Sequence, residues 1–317
     1  MLEVFFCNVG DGDAVLLREH RSGQAPYTVL VDAGRPYLEP QHGSLRKEAI
    51  YYLKDRGVAH IDRMYLSHLH IDHIGGAMRI IRAIPTDRVL ALRFPPTDAE
   101  WIMPSFTSLE KPKNGLMHML NIYRDLTEAA KESGAALETA KHGTTALTDR
   151  LSVTTILPKQ AVIERQTRVF DALYRKEPVD PNDWYRASKE RNVSSVVLRF
   201  SYAGCSVLLT GDRYAADFED LPLEPCDVLK LPHHGDPKSM TGALLKKLAP
   251  SVAVISCQND PAAKKDRPNA GIVAMLQSAV PHVFCTENKP LPTLAPSTHN
   301  GICITIGDDG SIACRTE

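Results

Sequence analysis

The feature that most constrains the fold of this chain is a cluster of imidazoles and carboxylates directly after a short apolar segment. The cluster reads His68-Leu69-His70-Ile71-Asp72-His73. Residues 64–66 before it predict a buried strand, and Gly75-Gly76 after it predict the start of a helix. The four polar side chains are therefore expected on a strand-to-helix loop, which is the setting that a loop-borne metal site needs.

The spacing within this cluster predicts two neighbouring metal positions. His68 and His70 lie two residues apart in an extended segment, so their side chains point to the same side and can hold one ion. Asp72 and His73 follow after the chain turns and are directed at a second position close by. The alternative, four hydrogen-bonded structural side chains, is disfavoured because burying such a group without an ion costs too much desolvation and repulsion.

Strand and helix patterns recur in both halves of the chain. In the second half, residues 196–200 and 205–209 predict one hairpin, and residues 302–306 and 312–314 predict another. In the first half, Ser44 is expected to cap a helix that ends at Gly57. Two mixed halves of this kind predict an α+β sandwich, in which two sheets pack together with helices outside.

Two stretches, about 93–148 and 159–191, do not fit this pattern and are predicted to be insertions. The first contains Pro95-Pro96, Pro104 and Pro112 ahead of a helix near 116–133. The second is polar and mostly helical, and its mixed charges, Arg191 among them, are typical of a solvated face. The alternative for the second stretch is a lid that contacts substrate.

The cluster resembles the signature of the metallo-β-lactamase superfamily, and other segments agree with that superfamily in order. They are Val31-Asp32-Ala33-Gly34, Leu209-Thr210-Gly211-Asp212, Leu231-Pro232-His233-His234-Gly235, Asn8-Val9-Gly10-Asp11-Gly12-Asp13-Ala14, Asn192-x-Ser194-Ser195-Val196-Val197-Leu198 and Val252-Ala253-Val254-Ile255-Ser256. Several are similar to a narrower branch, the soluble C-terminal domain of the ComEC DNA-uptake protein and its stand-alone relatives. The resemblance implies a four-layer αββα sandwich, here a single domain over 1–317 with the two insertions.

The resemblance also implies a set of metal ligands and catalytic residues. The implied ligands are His68 and His70 for the first ion, Asp72, His73 and His234 for the second, and Asp212 as the bridge. Asp72, His73 and His234 are also the implied catalytic residues. Asp32 would orient the ligand loop, and Asp13 is expected to order its own loop as an acceptor rather than as a ligand.

The predicted substrate-contacting residues are Asn192, His233, Lys230 and Lys238. Asn192 stands where most enzymes of the superfamily have a third histidine. Lys238 could belong to an anion pocket at a helix start, and a strand-end lysine such as Lys230 is alternatively only solvated. In the ComEC-like branch a Gly-His-Pro segment often follows the strand 252–256. This chain has Lys264-Lys265-Asp266-Arg267-Pro268 there, so a substrate-contacting role would pass to lysine or arginine.

Mixed imidazole and carboxylate ligands predict two divalent ions, with Zn²⁺ expected and Mn²⁺ also accepted by the oxygen-rich second position. Such a pair would ionise a trapped water near neutral pH. The predicted function is therefore metal-dependent hydrolysis of a phosphodiester, in nucleic acid or a nucleotide. Two alternatives stay open: hydrolysis of a carbon ester, thioester or lactam, and a non-catalytic interaction module that keeps the fold.

Composition adds few constraints. The net charge is −1, from 37 Lys and Arg against 38 Asp and Glu, which disfavours a generally basic nucleic-acid-binding surface. The seven cysteines are scattered without a C-x-x-C pair, as expected for reduced thiols. No membrane segment or secretory signal is recognisable, so a cytoplasmic location is predicted. The sequence indicates no particular protein partner or oligomeric state.

Overall fold

The structure of the protein is a computed structural model, which describes residues 1–39, 41–103, 111–219, 221, 223–260 and 266–317. Two large sheets form its centre. Numbered in chain order, the strands of the first sheet lie side by side as β17 (Ile312–Thr316), β16 (Gly301–Ile306), β1 (Leu2–Cys7), β2 (Val15–Glu19), β3 (Tyr27–Val31), β4 (Arg63–Leu66), β5 (Arg88–Ala91) and β6 (Ala136–Thr139). The pairs from β3 to β6 are parallel, and the others are antiparallel.

The second sheet repeats this mixture of directions. Its order is β13 (His282–Cys285), β12 (Val252–Ile255), β11 (Val228–Lys230), β10 (Cys205–Leu209), β9 (Val197–Tyr202), β8 (Leu151–Ile156) and β7 (Gly143–Ala146). The pairs from β10 to β13 are parallel, and those from β7 to β10 are antiparallel. A small ladder joins β14 (Glu287–Asn288) to β15 (Ser297–Thr298).

The helices cover the outer faces of the two sheets. They are α1 (Ala49–Asp55), α2 (Ile71–Ile74), α3 (Ala77–Ala83), α4 (Lys111–Glu132), α5 (Gln160–Tyr174), α6 (Pro181–Lys189), α7 (Gly242–Leu248) and α8 (Ala270–Ala279). No helix within the described ranges is both long enough and apolar enough to cross a bilayer.

Three apolar clusters separate the four layers. Alternate strand residues of both sheets, such as Val4 and Val207, fill the space between the sheets. The opposite face of the first sheet, with Phe5, packs against α1, α3 and α4. The outer face of the second sheet, with Leu229, packs against α7 and α8. The predicted αββα sandwich is therefore confirmed, and so are both predicted hairpins, β9–β10 and β16–β17.

The described parts of the two predicted insertions pack against the sandwich and add to it. The stretch 93–148 supplies the edge strands β6 and β7 and the helix α4, whose Leu120 and Tyr123 are fully buried. In the stretch 159–191, helix α5 places Phe170 and Tyr174 in the same cluster. The helix predicted near 116–133 corresponds to α4, and the second stretch is mostly helical, as predicted, because it contains α5 and α6.

The predicted start of the first helix is also wrong. The helix α1 begins at Ala49, and its N-cap residue is Glu48 rather than Ser44. The Ser44 hydroxyl instead donates a hydrogen bond to the buried carboxylate of Glu287, at 2.6 Å. The Ser44 hydroxyl therefore bonds to Glu287, which is distant in sequence, instead of capping the helix as the local pattern predicted.

Candidate metal centre

The candidate ligands meet where parallel strands of both sheets end. Asp32 follows β3, and the cluster from His68 to His73 follows β4. In the second sheet, Asp212 follows β10 and His234 follows β11. Carboxyl ends of parallel strands lie at one edge of a sheet, so the topology gathers these distant residues there. The six predicted ligands are thereby brought together.

Three of the ligands form the first donor set, His68, His70 and Asp212, whose ligand atoms lie within 4.8 Å of one another. The Nε2 atom of His68 is 2.9 Å from Nδ1 of His70 and 3.8 Å from Oδ2 of Asp212. The other ring nitrogen of His68 lies 3.0 Å from the Ser67 hydroxyl. This contact turns the Nε2 atom of His68 towards Asp212.

Asp72, His73 and His234 form the second donor set, also within 4.8 Å. The Oδ1 atom of Asp212 lies 3.3 Å from Nε2 of His73 and 3.4 Å from Nε2 of His234. Among the described residues, these three atoms have no hydrogen-bond partner although they are buried. Unpaired buried acceptors are costly, and a divalent cation would satisfy all three. The residues present therefore fit a metal ion, and Asp212 reaches both donor sets.

The two neighbouring histidines after β11 have different surroundings. The Nδ1–H of His234 donates to the carbonyl oxygen of Ser256, at 3.0 Å, which leaves Nε2 facing Asp212 and Asp72. The Nε2 atom of His233 instead accepts hydrogen bonds from Arg267 and from Asn192. Both histidines have positive φ angles, 50° and 56°, which direct their rings apart. The contacts favour His234 as the ligand.

Asp32 holds the ligand loop in place. Its carboxylate accepts hydrogen bonds from the Ser67 amide at 2.8 Å and from the Ser67 hydroxyl at 2.7 Å. It also lies 2.8 Å from Nδ1 of His73. A carboxylate in this position fixes the imidazole so that Nε2 points to the metal position.

We expect Asp32→Asn to weaken metal binding about 10- to 100-fold, because the amide cannot accept from both Ser67 and His73. Titration calorimetry with Zn²⁺ and Mn²⁺ measures the affinity. Asp227→Asn is the matched control, since Asp227 also accepts a backbone N–H bond, from Ser206 at 2.7 Å, but lies outside the site. Unchanged affinity in Asp32→Asn, or an equal loss in the control, would contradict this role.

Asp13 forms a buried ion pair beneath the site rather than lining the cleft. Its carboxylate contacts the ammonium group of Lys230, and the two side chains are 4% and 1% exposed. The Asp13 amide donates to the carbonyl oxygen of Asp72, at 3.1 Å. Lys230 was predicted to contact substrate, and this prediction is wrong because its ammonium group is buried and paired with the carboxylate of Asp13. The expected ordering role of Asp13 fits these contacts.

Burial favours the neutral form of two of the candidate ligands, His68 and His70, and of the neighbouring His233. Burial lowers the pKa of His70 and of His233 to about 4, and drives the pKa of His68 well below its ordinary value. His73 is the exception: burial disfavours its charged form, but Asp212 and Asp32 outweigh that effect and hold its pKa well above the ordinary value. A metal ion entering there would displace a proton from His73.

A cleft of about 450 Å³ opens over the donor sets. Its walls include three guanidinium groups, Arg35, Arg191 and Arg267, together with Asn192 and Tyr214. Asn192 donates to the Tyr214 hydroxyl at 3.2 Å, and burial raises the pKa of that hydroxyl. Asn192 and His233 thus lie at the cleft, and their contact with a substrate stays a prediction.

The other lysine that was predicted to contact substrate, Lys238, lies away from the cleft. Lys238 is exposed and does not line the cleft, and the nearest helix begins later, at Gly242 with Thr241 as its cap. Lys264 and Lys265 fall outside the described residues. Arg35, Arg191 and Tyr214 were missed. Arg191 directly precedes Asn192, and this adjacency was the one signal that could have singled it out.

Comparison with known proteins agrees with this geometry. The model of the metallo-beta-lactamase superfamily matches residues 9–110. ComE operon protein 3 of Bacillus subtilis (strain 168) is 28% identical over 304 residues, which are 90% of this chain and 32% of that protein. The chain thus spans about a third of the length of this relative.

Solved structures with a similar overall arrangement include two bacterial proteins. The metallo-beta-lactamase fold protein YhfI from Bacillus subtilis has a TM-score of 0.49 and 12% identity, over 90% of this chain and 95% of that one. Zn²⁺-bound PqqB from Methylobacterium extorquens has a TM-score of 0.45 and 11% identity, over 92% and 99%. The resemblance expected from the motifs is confirmed by the family match and the curated relative, and the chain has the αββα fold of the metallo-β-lactamase superfamily.

Proposed function

We propose that the protein is a metal-dependent hydrolase that cleaves phosphodiesters in nucleic acid or a nucleotide. The observation that carries this proposal is the position of the two donor sets, joined at Asp212, under a cleft walled by guanidinium groups. Arginine pairs readily with phosphate oxygens through two parallel N–H bonds. Arg35 and Arg267 are paired with Asp11 and Asp236, so among these described guanidinium groups Arg191 is the one with no carboxylate within ion-pair distance. A cleft for a neutral acyl substrate would not need such a group.

In this proposal, His68 and His70 would hold one divalent ion, Asp72, His73 and His234 would hold the other, and Asp212 would belong to both donor sets. Zn²⁺ suits the mixed donors, and Mn²⁺ suits the second position. When bound, the ions would supply an ionised water and would neutralise charge on the phosphoryl oxygens. Binding of the phosphate and donation of a proton are assigned to side chains that line the cleft.

Arg191 and Arg267 are suited to hold the phosphate over the donor sets. Among the described residues, Arg191 has no carboxylate within ion-pair distance, and its Nε–H donates to the carbonyl oxygen of Ser188 at 2.8 Å. Arg267 donates to Asp236 at 3.0 Å and contacts His233. Tyr214 receives a hydrogen bond from Asn192 and keeps its own proton, which it can donate to a phosphoryl or leaving oxygen.

We expect the purified protein with Mn²⁺ or Zn²⁺ to hydrolyse bis(p-nitrophenyl) phosphate, short DNA or RNA, or cyclic dinucleotides. His70→Ala and Asp72→Ala should each lose at least about 100-fold in kcat/KM, because each removes a ligand. His282→Ala is the control, since His282 is an exposed imidazole on β13, away from the cleft.

Other outcomes of the same experiment would replace the proposal. Turnover of p-nitrophenyl acetate, a thioester or a lactam, without phosphodiester cleavage or inhibition by phosphate, would identify an acyl hydrolase. Less than one bound ion per chain, with no activity on adding metal, would identify a non-catalytic module. The cytoplasmic location stays a prediction.

A further inference from the structure

A second concavity lies beside the metal centre and has a different character. It has a volume of about 650 Å³ and is lined mainly by apolar and aromatic side chains of α4, α5 and α6. Its apolar lining includes Met117, Leu173, Val179, Trp184 and Tyr185, and its charged lining is Glu177, Lys189 and Arg191. The volume falls within the roughly 300–1,000 Å³ that ligand pockets have. We call this concavity the α6 groove.

The walls of the α6 groove are of two kinds. Met117, Leu173 and Trp184 are half-buried and pack against the core cluster beneath the first sheet, so that wall is held in place. Tyr185 lies on the outside, with 62% of its surface exposed. The ammonium group of Lys189 lies 5.6 Å from the centre of the Tyr185 ring. A firm apolar wall therefore faces an accessible aromatic ring with a cation beside it.

Arg191 joins the α6 groove to the metal centre. Its side chain lines both the groove and the cleft. Arg191 also lies close enough to Asp72 and His70 to interact with them electrostatically. A ligand long enough to fill the groove would therefore extend into the cleft over the donor sets. On the way it would pass the guanidinium group of Arg191, which is suited to bind phosphate.

A single nucleic-acid strand has the chemistry that this arrangement complements, since it alternates anionic phosphates with flat aromatic bases. Bases stack on tyrosine and tryptophan rings, and arginine and lysine contact the phosphates between them. A neutral hydrocarbon or an apolar helix of another protein would match the apolar wall but would leave Lys189 and Arg191, which outnumber the one carboxylate of Glu177, without an anionic partner. A fatty acid has a single anionic group and no flat ring to stack on Tyr185.

We infer that the α6 groove is a base-binding subsite, in which Tyr185 and Trp184 receive a nucleobase next to the phosphate held at the metal centre. This inference rests on the proposed phosphodiesterase function and narrows its substrate to a single-stranded nucleic acid. Duplex would not fit, because its bases are stacked inside and cannot reach the rings.

The test compares two oligomers of equal length and charge, one carrying thymine bases and one abasic, both with hydrolysis-resistant phosphorothioate linkages. Fluorescence anisotropy measures their Kd for the protein as purified. We expect the wild-type protein to bind the base-bearing oligomer more tightly. Tyr185→Ala should raise the Kd for the base-bearing oligomer about fivefold or more, which corresponds to the lower end of the free energy of base–aromatic stacking. The same variant should leave the Kd for the abasic oligomer unchanged.

Two further variants separate stacking from general effects. Tyr185→Phe keeps the ring and should bind like the wild type. Tyr51→Ala removes another exposed tyrosine, on α1 outside the groove, and should change neither Kd. Equal binding of the two oligomers by the wild type, or equal losses for both in Tyr185→Ala, overturns the inference.

The binding test and the cleavage assay can fail separately. Binding that depends on bases and on Tyr185, without any phosphodiester cleavage, refutes the activity alone. Cleavage with no preference for bases refutes the subsite alone.

Discussion

Replacement of Asp212 by asparagine is expected to lower kcat about 1,000-fold and to reduce the bound metal from two ions per chain to at most one. Asp212 is 1% exposed, and its two oxygens face different donor sets. An amide has nearly the same shape but carries no charge and has only one acceptor oxygen. The expected loss corresponds to about 4 kcal/mol of transition-state stabilisation.

Metal analysis by inductively coupled plasma mass spectrometry, together with phosphodiester turnover, checks this expectation. Asp227→Asn is the matched control. Asp227 precedes β11 in the same sheet and accepts from the Ser206 amide at 2.7 Å, at the end of that strand away from His234. It should retain both metal and activity. If Asp212→Asn kept two ions and a tenth of the activity, Asp212 would not be the bridge.

The ligand loop was predictable because its four candidate ligands lie within one short segment of the sequence. The residues His68 to His73 follow one strand at a spacing that determines which way the side chains point. Asp212 and His234 are far away in sequence, and only the resemblance connected them to that loop. The structure shows the physical link, since β10 and β11 are parallel and both end at the edge where β4 ends.

The charged side chains that line the cleft were harder to predict, because they depend on which cations are already paired. Lys230 and Arg191 are both basic residues beside a predicted ligand or contact residue. Lys230 lies on a central strand opposite Leu209, and Asp13 neutralises it. Arg191 follows a helix whose packing turns it towards the cleft. Burial and pairing of this kind arise from tertiary contacts, which no local pattern records.

Lys230→Met is expected to lower the free energy of unfolding by about 3–5 kcal/mol, the usual cost of removing one partner of a buried ion pair. Methionine fits the space of the lysine stem, so the loss would come from Asp13, whose carboxylate is left uncompensated. Urea denaturation of the metal-free protein measures the effect. Metal is excluded because binding to the native state alone would add its own stabilisation.

The double variant Asp13→Asn/Lys230→Met separates the charge from the packing. Removing both charges should restore most of the lost stability, because no unpaired ion then remains. Lys238→Met removes an exposed lysine from the connection that follows β11 and should change the free energy of unfolding by less than about 0.5 kcal/mol. A loss below about 1 kcal/mol in Lys230→Met would mean that Asp13 finds another partner or takes up a proton. The ion pair would then not be what holds the Asp13 loop against Asp72.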